Sequence, residues 1–155
     1  MKVAVIEDDE DKLKALCDYI DEHYDVEAIF TARSLKSGIR LVLNENFGFI
    51  FLDMTMKNFD KNLEDDGGRP HSFAGREILR QMRRERKDAA VVIVTHFDEF
   101  GFENEKMTIE ELKDELSRKY QNYLGIVHFR HDVDKWKQDL AAVIGTKIPA
   151  KVQNA

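Results

Sequence analysis

Five short apolar runs, each followed by a stretch with helical periodicity, leave this chain few folds to adopt. Val3-Ala4-Val5-Ile6 is continuous and β-branched, as in a strand covered on both faces. Val26 to Phe30, Phe47 to Leu52, Ala89 to Val94 and Gly125 to Phe129 read as four more strands. Between them lie helical stripes. The first carries Leu13, Leu16, Cys17, Ile20 and Tyr24, and the second carries Leu35, Ile39, Val42 and Leu43 behind a capping Ser34. Gly75 opens a third helix with Ile78, Leu79 and Met82 and a basic last turn, Arg83, Arg84, Arg86 and Lys87. Thr108-Ile109-Glu110-Glu111 matches a capping box ahead of Leu112, Leu116 and Tyr120. Asp132 is placed to cap a fifth helix with Val133, Trp136, Leu140 and Val143, which Gly145 stops.

This is a (βα)5 alternation. It predicts an α/β fold, a doubly wound five-stranded parallel sheet with helices on both faces and right-handed crossovers. The 155 residues suit one domain over 1–145, with 146–155 as a tail. Two connections are long, 57–74 and 96–107, and the first contains the turn-rich Asp65-Asp66-Gly67-Gly68-Arg69-Pro70. A hydrophobic content of 43% supports a buried core, and a net charge of −6 argues against a nucleic-acid surface. One cysteine, Cys17, excludes an intrachain disulfide and suits a reducing compartment. The start is not that of a signal peptide and no apolar run reaches membrane-spanning length, so a cytoplasmic protein without membrane contact is expected.

In such sheets ligands gather beyond the carboxyl ends of the strands. The first strand ends in Glu7-Asp8-Asp9, the third in Asp53 and the fourth in Thr95, all on one sheet edge. Carboxylates crowded together repel unless a cation joins them. Mg²⁺, a hard cation that needs few carboxylates, suits such a set. A carboxylate can also attack phosphorus to give an acyl phosphate, with Thr95 placed to bond a phosphoryl oxygen. The five histidines show no Cys/His spacing of a zinc site, and His96 borders the acidic edge.

Residues 2–13, the run Phe51 to Asp60, Gly75-Arg76-Glu77-Ile78-Leu79-Arg80 and Val91 to Thr95 resemble the motifs of a response-regulator receiver domain, a flavodoxin- or CheY-like fold. By position, the resemblance implies Glu7 and Asp8 as the metal-binding acidic pair and Asp53 as the phosphorylated aspartate, also a metal ligand. It implies Thr55 as the metal ligand through its backbone carbonyl, and Thr95 as the switch hydroxyl. It further implies Mg²⁺, a histidine kinase or small phosphodonor, and a downstream protein partner, with a homodimer as one option. A DNA-binding or catalytic output domain does not fit after residue 145, so output by partner binding is expected, with no enzyme activity beyond self-directed phosphoryl transfer.

The sequence departs from the family in three places. Lys57 stands where the family usually has proline, and residues 61–74 are extra. The fifth strand, Gly125-Ile126-Val127-His128-Phe129-Arg130-His131, lacks the family's lysine, which pairs with the acceptor carboxylate. A gap-free match puts Phe129 at that position and Ile126 at that of the aromatic reporter. A shift by one would bring in His128 or Arg130, and Arg130 is the better electrostatic substitute. The missing lysine keeps a second reading open, a pseudo-receiver that binds partners without phosphorylation. A third reading, a metal-dependent phosphohydrolase, lacks a second aspartate two residues beyond Asp53, where Thr55 stands.

Overall fold

The computed structural model describes residues 1–60, 70–97, 99–101 and 106–153. The elements run β1 (Lys2–Ile6), α1 (Glu10–His23), β2 (Ala28–Ala32), α2 (Leu35–Asn44), β3 (Phe49–Leu52), β4 (Met56–Lys57), β5 (Pro70–His71), α3 (Ala74–Arg84), β6 (Ala90–Thr95), β7 (Glu99–Phe100), β8 (Met107–Thr108), α4 (Ile109–Lys119), β9 (Tyr123–His128) and α5 (Lys135–Ile144). Five strands form a parallel sheet in the order β2-β1-β3-β6-β9. The order reverses between β1 and β3, which opens a crevice above that point, beyond the strand ends. The doubly wound sheet expected from the alternation is present.

Alternate residues of the buried strands feed two cores. Ala4, Ile6, Ile50, Leu52, Val91 and Ile93 face one side, where Ile78, Leu79 and Met82 of α3 and Leu112 and Leu116 of α4 cover them. Val3, Val5, Phe49, Phe51, Val92 and Val94 face the other, under Leu16 and Ile20 of α1 and Trp136, Leu140 and Ile144 of α5. Ser34 caps α2 in a capping box with Ser37, and the Thr108 side chain accepts from the Glu111 N–H at 3.2 Å. The helix stripes that periodicity picks out are those that pack.

Several boundaries differ from expectation. The second strand starts at Ala28 and runs to Ala32. The last helix starts at Lys135 after Asp134, because Asp132 is held by Arg130 (3.0 Å) and Val133 is exposed. The two long connections each carry a short antiparallel ladder, Met56–Lys57 with Pro70–His71 and Glu99–Phe100 with Met107–Thr108. Most of the Asp65 to Pro70 turn signal lies outside the described residues. The segment after Gly145 joins the fold: Ile148 is buried, Asp25 donates its N–H to the Pro149 carbonyl at 2.7 Å, and Lys151 donates to that of His23 at 2.9 Å.

Candidate functional site at the acidic sheet edge

Parallel register carries the three acids together. Ile6 pairs with Leu52, so Glu7 and Asp53 leave adjacent strands at the same level, and the Asp53 N–H donates to the Ile6 carbonyl at 3.0 Å. Ligand oxygens of Glu7, Asp8 and Asp53 lie within 4.8 Å of one another. Glu7 is buried and accepts the Asp9 N–H on Oε1 at 3.0 Å. Asp53 is also buried, and Met54 donates its N–H to Asp53 Oδ1 at 2.8 Å. Asp8 is only partly buried and accepts the Lys57 N–H on Oδ2 at 3.1 Å. Proline, usual in the family at this position, has no N–H to donate.

Thr95 is fully buried at the end of β6, and its Oγ1 accepts the Phe97 N–H at 3.2 Å. Thr55 spends its hydroxyl on the Ser72 carbonyl at 3.1 Å.

The cation of the pocket comes from a helix. Lys12, in the first turn of α1, is completely buried. Its Nζ lies 2.5 Å from Glu7 Oε2 and 3.3 Å from Asp53 Oδ1, and donates to the Val94 carbonyl at 2.7 Å. Three partners match the three protons of an ammonium, which such burial requires. The sequence carried a signal for it. Lys12 precedes Leu16 by four residues and Ile20 by eight, so it lies on the buried face of α1. The expectation that Arg130 replaces the family's lysine is not met: Arg130 is exposed and binds Asp132 at 3.0 Å. His128 bonds the His96 carbonyl through Nε2 at 2.8 Å. Phe129 is buried, with its ring centroid 5.9 Å from Lys12 Nζ. Just past β9, the Phe129 N–H still donates to the Thr95 carbonyl at 2.8 Å and its ring is buried, while Arg130 is exposed.

Burial raises the Glu7 carboxyl to about 9; the Asp53 charge adds to the rise and Lys12 opposes it. Asp53 is also raised, chiefly by burial, against the pull of Lys12. Burial outweighs the pull of the one ammonium, so without a metal both carboxyls are pushed towards their protonated forms. Glu7 Oε2 is buried against the Lys12 ammonium. An all-oxygen set of three converging carboxylates fits a hard divalent cation. Beside it, ligand atoms of Asp9, His96 and His131 also lie within 4.8 Å of one another, a convergence hidden by their sequence spacing. His96 Nε2 stands 3.5 Å from Asp9 Oδ2.

A five-stranded parallel sheet in this order, with a carboxylate-rich edge and a buried hydroxyl on the neighbouring strand, defines a receiver-type α/β module. The comparisons with known proteins agree. The chain is 31% identical over 143 residues to the Detocs response regulatory protein DtcB of Enterobacter cloacae, covering 90% of this chain and 95% of that protein. It is also 31% identical over 140 residues to the uncharacterized protein y4jR of Sinorhizobium fredii, covering 88% and 92%. Among solved structures it resembles the response regulator TrrA of Thermotoga maritima, in complex with Mg²⁺-BeF, at a TM-score of 0.58 and 16% identity over 92% of this chain and 97% of that one. It resembles a response regulator receiver domain protein from Clostridium thermocellum at a TM-score of 0.61 and 20% identity, covering 94% and 92%. No family model matches the sequence. The chain belongs to the response-regulator receiver family and is a signal-transduction domain. Among the described residues, no helix is long and apolar enough to cross a membrane.

Proposed function

We propose that this receiver domain accepts a phosphoryl group on Asp53, with Mg²⁺ held by Glu7, Asp8, Asp53 and the Thr55 carbonyl, and signals by binding a partner protein. The observation that carries the reading is the convergence of Glu7, Asp8 and Asp53 oxygens within 4.8 Å, with the buried Thr95 at the end of the neighbouring strand β6. When bound, the metal neutralises charge on the transferring phosphoryl oxygens. A carboxylate oxygen of Asp53 forms the new bond to phosphorus. The bond from phosphorus to the donor breaks, and the leaving group keeps the electron pair: imidazole from a histidine kinase, acetate from acetyl phosphate. The Met54 N–H orients the attacking carboxylate. Thr95 exchanges the Phe97 N–H for a bond from its hydroxyl to a phosphoryl oxygen.

A cleft of about 220 Å³, lined by Asp8, Arg33, Lys57, Phe59 and Asp60, adjoins the acids through Asp8. Arg33 and Lys57 bring positive side chains to it, set against the carboxylates of Asp8 and Asp60. A free Cys17 suits the reducing cytoplasm.

The test is incubation of the protein with acetyl phosphate and Mg²⁺, or with a histidine kinase and ATP, followed by intact mass. One phosphoryl adduct is expected on the wild type and none on Asp53→Asn. An adduct that persists in Asp53→Asn would overturn the assignment. Absence of an adduct with every donor, together with partner binding unchanged in Asp53→Asn, would favour the pseudo-receiver reading.

A further inference from the structure

The geometry points to Lys12 as the residue that pairs with the phosphoryl group on Asp53, which moves the signal-bearing lysine from the fifth sheet strand to helix α1. The inference rests on the phosphoacceptor reading above and adds to it the group that answers the new charge.

Three observations meet. Lys12 is fully buried, 3.3 Å from Asp53 Oδ1 and 2.5 Å from Glu7 Oε2. Phe129, at the position where the family carries its lysine, is buried, and its ring stands 5.9 Å from the Lys12 ammonium. Arg130 is at the surface with Asp132. One residue therefore fills the space with an apolar ring while another, on the helix packed over the same face, brings the charge. A buried ammonium on a long, flexible stem can follow a charge that grows beside it.

The change of address alters what the charge pulls on. The N–H of Lys12 is tied to the Asp9 cap at 3.1 Å, so its backbone belongs to the first turn of α1. Its Nζ also holds the carbonyl of Val94, the residue before Thr95. A phosphoryl group that draws Nζ away from that carbonyl acts on α1 and on the end of β6 at once, beside the switch hydroxyl. The α1 face therefore receives the signal directly, which a lysine on β9 would not achieve.

The experiment follows the wild-type ammonium itself. In selectively labelled protein, the Lys12 ε-ammonium resonance is recorded before and after Mg²⁺ and beryllofluoride. Lys12→Met, Lys12→Arg and the double variant Lys12→Met/Phe129→Lys are then labelled with acetyl phosphate and Mg²⁺. A shift of the Lys12 resonance is expected. Lys12→Met should label slower by about a hundredfold, the usual scale for removing one charge-stabilising donor. Lys12→Arg should fall between, and Phe129→Lys should recover part of the loss by restoring the charge from the strand. An unmoved resonance in a wild type that binds beryllofluoride overturns this inference alone, as does a folded Lys12→Met that labels at the wild-type rate. The resonance decides the matter even where Lys12→Met fails to fold. A wild type that takes up neither phosphoryl group nor beryllofluoride overturns the phosphoacceptor reading, and this inference with it.

Discussion

The Lys57 N–H donates to Asp8 Oδ2 at 3.1 Å, so the connection after β3 holds one of the pocket acids through its backbone. Lys57→Pro removes the donor. It should cost about 1 kcal/mol in stability, the net worth of one hydrogen bond, and weaken Mg²⁺ binding by freeing Asp8. Lys57→Ala, which keeps the N–H, should do much less. Urea unfolding and Mg²⁺ titration of the two variants decide it, and equal behaviour would remove the backbone clamp from the account.

Gly75 fixes how closely α3 approaches Asp53. A Cβ there would lie 2.6 Å from the Asp53 carbonyl oxygen and 3.1 Å from Met54 Cα, both backbone atoms that cannot swing aside. Gly75→Ala should therefore destabilise by about 1–3 kcal/mol, the cost of overpacking. It should also slow labelling of Asp53. A urea midpoint equal to that of the wild type would contradict this packing argument.

The acids give the metal-free protein a pH dependence of definite sign. Glu7 is raised from 4.5 to about 9, by burial first and the Asp53 charge second. Its folded form holds the proton more tightly than the unfolded chain. That contribution to stability is full below 4.5 and is lost as pH rises towards 9. Asp53 is shifted in the same direction. Chemical unfolding across this range with a chelator should show falling stability, and saturating Mg²⁺ should flatten the fall. A chelated protein that gains stability with pH over this window would show that Glu7 is not held protonated.

Arg130 was the natural stand-in for the missing lysine, and its placement predicts that it does nothing of the kind. Its pair with Asp132 is solvent-exposed on both sides and contributes little. Arg130→Ala should label as the wild type does, with stability unchanged within about 0.5 kcal/mol. A large loss of labelling in this variant would reopen the fifth strand as the source of the cation.

Much of the site was legible because it sits where a rule of topology puts it. Glu7, Asp53 and Thr95 end strands that a (βα)5 alternation must set side by side, and their convergence needs no knowledge of packing. Ile148 was not legible: a single apolar residue after Gly145 has no periodicity to mark it, and only its burial beside α1 and α5 brings it into the core. The start of α5 was misread because Asp132 is as good a cap by type as Asp134. The neighbouring Arg130 decides which of them is engaged elsewhere.

The sequence by itself determined the alternation of strands and helices, the two covered faces of the sheet and the acids at its carboxyl edge. These depend on side-chain period and chain order, which are local properties. Only the tertiary structure decided which cation faces Asp53. That choice depends on how α1 is rotated over the ends of β1, β3 and β6, so that Lys12 reaches Glu7, Asp53 and the Val94 carbonyl together. A lysine on an apolar stripe looks like an interruption until the buried acids that need its charge are packed against it.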